Sequence, residues 1–477
     1  MPLINVIPGD KIPPAPMNVR VPVWRVPGWL LVLWWTLRGT FHATVLAVRY
    51  WWLTGPAALA AWIWVDFGWQ TLLVVLATLA AGGAAWWRWH RATWQRFVWW
   101  PLLGRWRRLF VYRRSWAPAM ATCGLATAFG GDKYVPQLLG VRATEFGDEV
   151  TVRMLPGQHP DDWGKAAPRL AYTFRVRDGR ARTHRRPDRI VLVFLRRDPL
   201  AETIAPIATP TSLDLARLPL GVQENGDAYA LRLAGSHVLV GGATNAGKGS
   251  VIWALIAALA GGIQQRLVEL WVFDPKGGME LAGGLPLFTR FVYDTAETMA
   301  GALEDAVVRM RARANRLRGI TRQHTPTPGD SLIVIVIDEL AALTSYISDR
   351  KVRDRIRESL SLLLSQGRAV GVHVIAALQD PRKEVLPFRD LFPTRIALRL
   401  TEAEQVDLIL GDGARNRGAL ADEIPETSPG VAYVALDGVR EPVRVRFAYH
   451  SDSDIQDLCH RYGYAQVVEG EIVEGDR

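Results

Sequence analysis

The sequence predicts an α/β fold built around a phosphate-binding loop, with a small α/β domain ahead of it and a transmembrane helical hairpin near the amino terminus. Three observations carry that prediction. An apolar strand at His237 to Val240 runs through a Gly-rich turn into an apolar helix. A second strand, Leu332 to Ile337, is apolar throughout and ends in Asp338 and Glu339. Upstream of both, Val45 to Val65 and Trp69 to Trp87 are two apolar runs, the second without a charge.

Composition bounds the function classes. With 477 residues the chain has room for two or three domains. Its two cysteines, Cys123 and Cys459, exclude a disulfide framework and a cysteine-based zinc site. The net charge of +10 is concentrated: residues 1–120 hold 13 Lys and Arg against Asp10 and Asp66, together with 17 of the 20 Trp. A basic, Trp-rich, acid-poor end fits a membrane interface better than nucleic acid.

The elements follow in order. Trp29 to Leu37 is too short to span a bilayer by itself; it suits the interface, and a third membrane element there is left open by the sequence. The run from Trp69 to Trp87 would span about 28 Å as a helix, close to the hydrocarbon thickness. Val45 to Val65 forms the other arm, with Asp66, Phe67 and Gly68 as a tight turn. Arg20, Arg25 and Arg38 lie on one side of the pair and Arg88, Arg91 and Arg96 on the other, which places both flanks in the cytoplasm. A cleaved signal peptide is disfavoured because the apolar run begins late and is long. The cluster from Arg105 to Arg114, with Trp106, Phe110 and Tyr112 interleaved, suits contact with anionic lipid or DNA, and a lipid-facing or solvated helix is the preferred reading.

Between Val141 and Arg197, alternation at Glu149 to Leu155, Ala171 to Arg177 and Arg189 to Leu195 predicts three strands, with Asp178-Gly179 as a turn. The arginines of that region read as a solvated hairpin.

The segment Gly242, Ala243, Thr244, Asn245, Ala246, Gly247, Lys248, Gly249, Ser250 supplies backbone N–H groups able to encircle a polyphosphate. Lys248 would reach the β and γ phosphates, and the helix that follows favours anionic charge at its start. The residue after Lys248 is Gly249, so the hydroxyl that ordinarily binds Mg²⁺ arrives one place late, as Ser250. Asp338 would complete the Mg²⁺ shell and Glu339 would act as general base, an order and separation that suit a P-loop NTPase. Gln379 follows a further apolar strand, Val372 to Asp380, and would sense the γ-phosphate. Strands are also expected at Val268 to Phe273, Arg395 to Leu400, Val431 to Leu436 and Pro442 to Ala448.

GATNAGKGS (Gly242 to Ser250), Asp274-Pro275-Lys276, IDEL (Ile337 to Leu340), SQGRAVGVHVIAALQDP (Ser365 to Pro381) and FPTRIALRL (Phe392 to Leu400) together resemble the FtsK/SpoIIIE DNA translocases. The likeness is to the short membrane-anchored members of actinomycete conjugative and integrative elements. It implies a RecA-like P-loop NTPase motor using ATP and Mg²⁺, a homo-hexameric ring around double-stranded DNA, and a place beside mobile-element transfer proteins. In such rings an arginine completes the neighbour's ATP site, and Arg313 and Arg368 are the candidates. The expected division is a cytoplasmic or interfacial segment (1–44), the hairpin (45–87) in membrane lipid, a basic juxtamembrane segment (88–118), the small α/β domain (119–200), a linker (201–231), the motor (232–450) and an acidic tail (451–477). The expected location is the cytoplasmic membrane, multi-pass, with the motor in the cytoplasm. Residues 201–477 carry 30 Lys and Arg against 36 Asp and Glu, so the DNA expectation rests on the resemblance. A type VII-like protein-secretion ATPase and a non-hydrolysing, ATP-gated membrane scaffold are the alternatives.

Overall fold

The computed structural model describes residues 28–129, 131–381, 388–439 and 441–463. Arg20, Arg25 and the acidic end of the tail lie outside these residues. The chain divides into two compact units, 1–98 and 99–477.

In the first unit, helix Gly28–Arg49 is followed by helix Trp51–Trp89. The segment expected to lie in the interface is the first half of the former helix. The expected arm beginning at Val45 is corrected: Val45 to Arg49 ends the first helix, and Tyr50 (φ −111°, ψ 32°) separates the two. The Thr54 hydroxyl donates to the Ala47 carbonyl across that joint at 2.9 Å, satisfying an acceptor that the break sets free. Trp51–Trp89 is continuous except at Gly68, whose φ of 82° and ψ of 164° are non-helical and suit a residue without Cβ. Among the described residues, one helix, Thr54–Trp89, is long and apolar enough to cross a membrane, and its apolar stretch is entirely unburied.

The second unit opens with helical turns from Trp100 to Thr122 that bury Tyr112, Trp116 and Met120. These turns pack against a four-stranded antiparallel sheet ordered Gln137–Ala143, Gly147–Arg153, Arg189–Leu195, Asp178–Thr183. Gly104 lets the helix cross the sheet closely, since a Cβ there would lie 2.7 Å from the Val141 carbonyl oxygen. Asp148, 1% exposed, accepts from Arg107 at 2.5 Å, from the Tyr112 hydroxyl at 2.8 Å and from Arg196 Nε at 2.8 Å. The reading of 105–114 as a lipid-facing or solvated helix is therefore corrected at Arg107, which with Arg196 neutralises a buried carboxylate, and at Tyr112, which donates a hydrogen bond to it. The expected strand Ala171 to Arg177 is also corrected. Ala171 to Thr173 end helix Pro160–Thr173, in which Trp163, Ala166, Ala167, Leu170 and Ala171 are buried at helical spacing. The strand begins at Asp178.

The remainder of this unit, among the described residues, is built on a ten-stranded sheet. Its parallel part runs Arg290–Val292, Val268–Phe273, Leu332–Ile337, Val372–Leu378, Val238–Gly241, Thr394–Ala397. Antiparallel strands Val431–Leu436, Val443–Phe447, Leu218–Gln223 and Ala228–Leu231 extend it. The central strands are buried on both faces, which is why they read as unbroken apolar runs. Residues 218–231 are not linker but the edge of this sheet: Leu218 and Leu220 are buried and Gly226 (φ 84°) makes the turn. The tail begins as helix Asp452–Tyr462, with Ile455 and Leu458 in the core.

The two sheets of this unit are joined by ion pairs. Arg180 and Arg182 both bind buried Glu224, Arg180 also donates to the Tyr433 hydroxyl at 3.2 Å, and Arg444 binds Asp198 at 3.0 Å. Two of the arginines read as solvated, Arg180 and Arg182, thus hold the small domain to the ten-stranded sheet, while Arg185 and Arg186 are exposed as expected.

Candidate functional site

Parallel register brings the predicted residues together. Phe273 pairs with Ile337, Ile337 with Ala376, and Leu378 with Gly241. The segments Asp274 to Lys276, Asp338-Glu339, Gln379-Asp380 and Gly242 to Lys248 therefore leave the sheet side by side at one edge, where loops of parallel sheets form ligand crevices.

The phosphate loop is shaped by left-handed backbone at Asn245 (φ 57°) and Gly247 (φ 98°). A Cβ on Gly247 would sit 2.3 Å from the Gly430 nitrogen, so only glycine lets the loop lie against that turn. Gly430 N donates to the Ala246 carbonyl at 2.9 Å. Lys248 opens helix Lys248–Gln264, and its ammonium donates to the carbonyls of Gly242 (2.9 Å) and Ala243 (3.2 Å). Desolvation lowers its pKa, and the Glu339 charge opposes that shift.

Asp338 and Glu339 are 4% and 5% exposed. Lys276 neutralises them, its Nζ lying 2.9 Å from Asp338 Oδ2 and 3.9 Å from Glu339 Oε2. Burial acts to lower the Lys276 pKa, but its hydrogen bond to Asp338 and both carboxylate charges outweigh that and raise it. Burial raises the Glu339 carboxyl above its usual range despite Lys276. The Gln379 backbone N–H donates to Glu339 Oε1 at 3.4 Å, while Gln379 Oε1 accepts from the Thr244 hydroxyl at 3.2 Å. Gln379 thereby touches both the loop and the Glu339 carboxylate.

Asp274 is fully buried and accepts from the backbone N–H groups of Lys276, Glu280 and Leu281, so it shapes the loop that presents Lys276. Two contacts escaped the sequence reading. Lys276 stands in the Asp274-Pro275-Lys276 motif, three residues past strand Val268–Phe273, but its pairing with Asp338 at the end of the neighbouring strand is not written there. Arg399 donates to the Thr244 carbonyl at 2.9 Å and bears on the loop from the adjacent strand end. No periodicity marks either.

Ser250 lies two residues past Lys248 on the helix, about 200° around its axis. Its Cβ and Oγ lie 3.7 Å from the position a Gly430 Cβ would take, so its hydroxyl borders the Gly430 turn. Nothing lies within 4 Å of a Cβ built on Gly249.

The two candidate trans-acting arginines lie at the opposite ends of the strands. Arg313 is 6% exposed and donates to Asp330, to the Val370 and Gly371 carbonyls and to the Ser331 carbonyl. Its guanidinium is committed within its own chain. Arg368 lies in the turn Gly367–Val370 and is exposed. Strand Val372–Leu378 separates it from Gln379 by about 23 Å at ~3.3 Å per residue, too far to serve its own phosphate loop.

Residues 201–419 match the FtsK/SpoIIIE family model. Among curated proteins, the chain is 26% identical over 355 residues to Transfer protein TraSA of Streptomyces ambofaciens, an alignment covering 69% of this chain and 82% of that one. It is 26% identical over 265 residues to DNA translocase FtsK of Lactiplantibacillus plantarum, covering 51% of this chain and 31% of the relative. Among solved structures, that of pCW3 conjugation coupling protein TcpA, monomer form with ATPgS, superposes with a TM-score of 0.49 at 18% identity, covering 73% of this chain and 98% of that one.

Proposed function

Residues 201–419 are an FtsK/SpoIIIE-family ATPase domain, and from that premise we propose that the chain is a membrane-anchored, ATP-driven double-stranded DNA translocase acting in DNA transfer between cells. The observation that carries the transfer reading is the extent of the likeness to TraSA, 355 aligned residues against 219 matched by the family model. The chain spans only about a third of the FtsK relatives, 31% and 33% for the first two.

Membrane anchorage is supported by the unburied apolar helix, whose surface water does not tolerate. As one straight helix, the 39-residue segment Trp51–Trp89 would measure about 58 Å at ~1.5 Å per residue, nearly twice the ~30 Å hydrocarbon core. Broken at Gly68, it yields two arms of about bilayer length, with Arg38 beyond one and Arg88, Arg91 and Arg96 beyond the other. A hairpin with both flanks in the cytoplasm satisfies these constraints.

At the site, the loop N–H groups and Lys248 bind the phosphates, Glu339 orients and deprotonates water, and Gln379 links the nucleotide to the adjoining strand end. Burial lifts the Glu339 pKa toward the range in which a general base works. Among the described residues no cluster of three or more His, Cys, Asp or Glu could hold a metal by itself. Mg²⁺ is ordinarily held by one or two carboxylates together with phosphate and water. Asp338 fits as its carboxylate, whereas Ser250 faces Gly430 and supports a shell with one protein hydroxyl fewer. When bound, the ion supplies charge neutralisation on the β and γ phosphate oxygens. Arg368 is the arginine proposed to act on a neighbouring copy in a hexameric ring.

The test is ATP hydrolysis by the chain with and without linear double-stranded DNA. Stimulation of several-fold is expected. ATP binding without turnover under any DNA condition would favour the scaffold, and turnover indifferent to DNA would favour secretion.

A further inference from the structure

An open groove of about 590 Å³ lies at the edge of the motor opposite the phosphate loop. Thr321, Arg322, Gln323, Ser365, Gln366 and Arg368 line it, and none of its eight lining residues is acidic. Two guanidiniums, two hydroxyls and two amides make a surface for a multiply charged oxyanion. Neither Arg322 nor Arg368 has an ion-pair partner among the described residues. On the helix preceding the groove, by contrast, Arg313 and Arg316 both pair with Asp330.

The groove is framed from beneath. The His324 N–H donates to the Ala369 carbonyl at 2.9 Å, zipping the Arg322 segment to the Arg368 turn. Arg313 binds the carbonyls of Val370 and Gly371 on one side and Asp330 on the other. Gly371, at φ 74°, makes room for the His324 ring, which a Cβ would meet at 2.2 Å. The backbone segments that carry Arg322 and Arg368 are thus joined on one floor, with the buried Arg313 as the strut, and both side chains line the same groove.

A chain with an anion-binding loop at one edge and a paired-cation groove at the other has the two halves of a head-to-tail contact, which closes into a ring when the rotation between copies closes. The geometry points to Arg322 as a second trans-acting catalytic residue, which enters the ATP site of a neighbouring copy beside Arg368 and contacts the nucleotide's phosphates there. This rests on the reading of Arg368 as the trans-acting arginine and adds a second cation and the groove that presents both.

The experiment uses the full chain in detergent with linear duplex DNA. Arg322→Ala is expected to bind a fluorescent ATP analogue normally and to lose about 10²-fold in turnover, the cost of removing one transition-state donor. Arg311→Ala, an exposed arginine outside the groove, should hydrolyse at the parent rate. Arg322→Ala is then co-expressed with Lys248→Ala under different tags and purified through both. Each is inactive for a different reason, and the mixed assembly should turn over at least ten-fold faster than the two variants apart, because an intact loop meets an intact groove. Arg368→Ala is treated in the same way. If Arg368→Ala is complemented and Arg322→Ala is fully active alone, or inactive and not complemented, the role of Arg322 is overturned while that of Arg368 stands. If Arg322→Ala loses only DNA stimulation and keeps DNA-free hydrolysis, the groove is a DNA contact and the proposal falls. If neither variant is complemented, the trans-arginine reading falls with it.

Discussion

Glu339→Gln is expected to leave ATP binding intact and to lower hydrolysis about 10³-fold, within the range that a positioned general base contributes. The change is nearly isosteric, and the amide oxygen retains an acceptor for the Gln379 N–H that now binds Glu339 Oε1. Lys276 keeps its closer partner, Asp338, at 2.9 Å, so the local charge balance survives. What disappears is the basic oxygen at a buried position. Binding is read with a fluorescent nucleotide and turnover by phosphate release. Normal turnover would remove Glu339 from its role, and loss of binding would mean that it supports the loop instead.

Arg368→Ala and Arg313→Ala are expected to fail in different ways. Arg368 is exposed, so its removal should leave thermal unfolding unchanged and reduce turnover by about 10³-fold or more, the effect of an arginine supplied in trans. Arg313→Ala should destabilise the motor by about 3 kcal/mol, because it strands buried carbonyls of Ser331, Val370 and Gly371 and removes a partner of Asp330. Asp330 is 32% exposed and retains Arg316, which keeps the loss toward the low end of such changes. Thermal unfolding and phosphate release on both variants separate the two effects. An unchanged melting temperature for Arg313→Ala would contradict its role as a strut.

The motor was legible because buried parallel strands are written as unbroken apolar runs such as Leu332–Ile337, and because a phosphate loop has a fixed glycine spacing. Ala171 to Arg177 misled because its apolar residues fit both a two-residue and a 3.6-residue repeat, and the buried face of helix Pro160–Thr173 decided for the latter. Residues 218–231 passed for linker because edge strands are short and half exposed, although Asn225-Gly226 marked the turn. The arginines were the least legible. Arg313 and Arg368 look alike in sequence, and their difference depends on Asp330 and on strand starts that only the fold assembles. Lys276 was hidden for the same reason, since its partner Asp338 is 62 residues away.

The central claim is movement along duplex DNA driven by ATP. The most direct measurement is displacement of a triplex-forming oligonucleotide from linear duplex DNA by the full chain in detergent, with Glu339→Gln as control. ATP-dependent displacement by the parent chain, absent in the variant, is the predicted result. Rapid, DNA-stimulated ATP hydrolysis with the third strand left in place would contradict the claim.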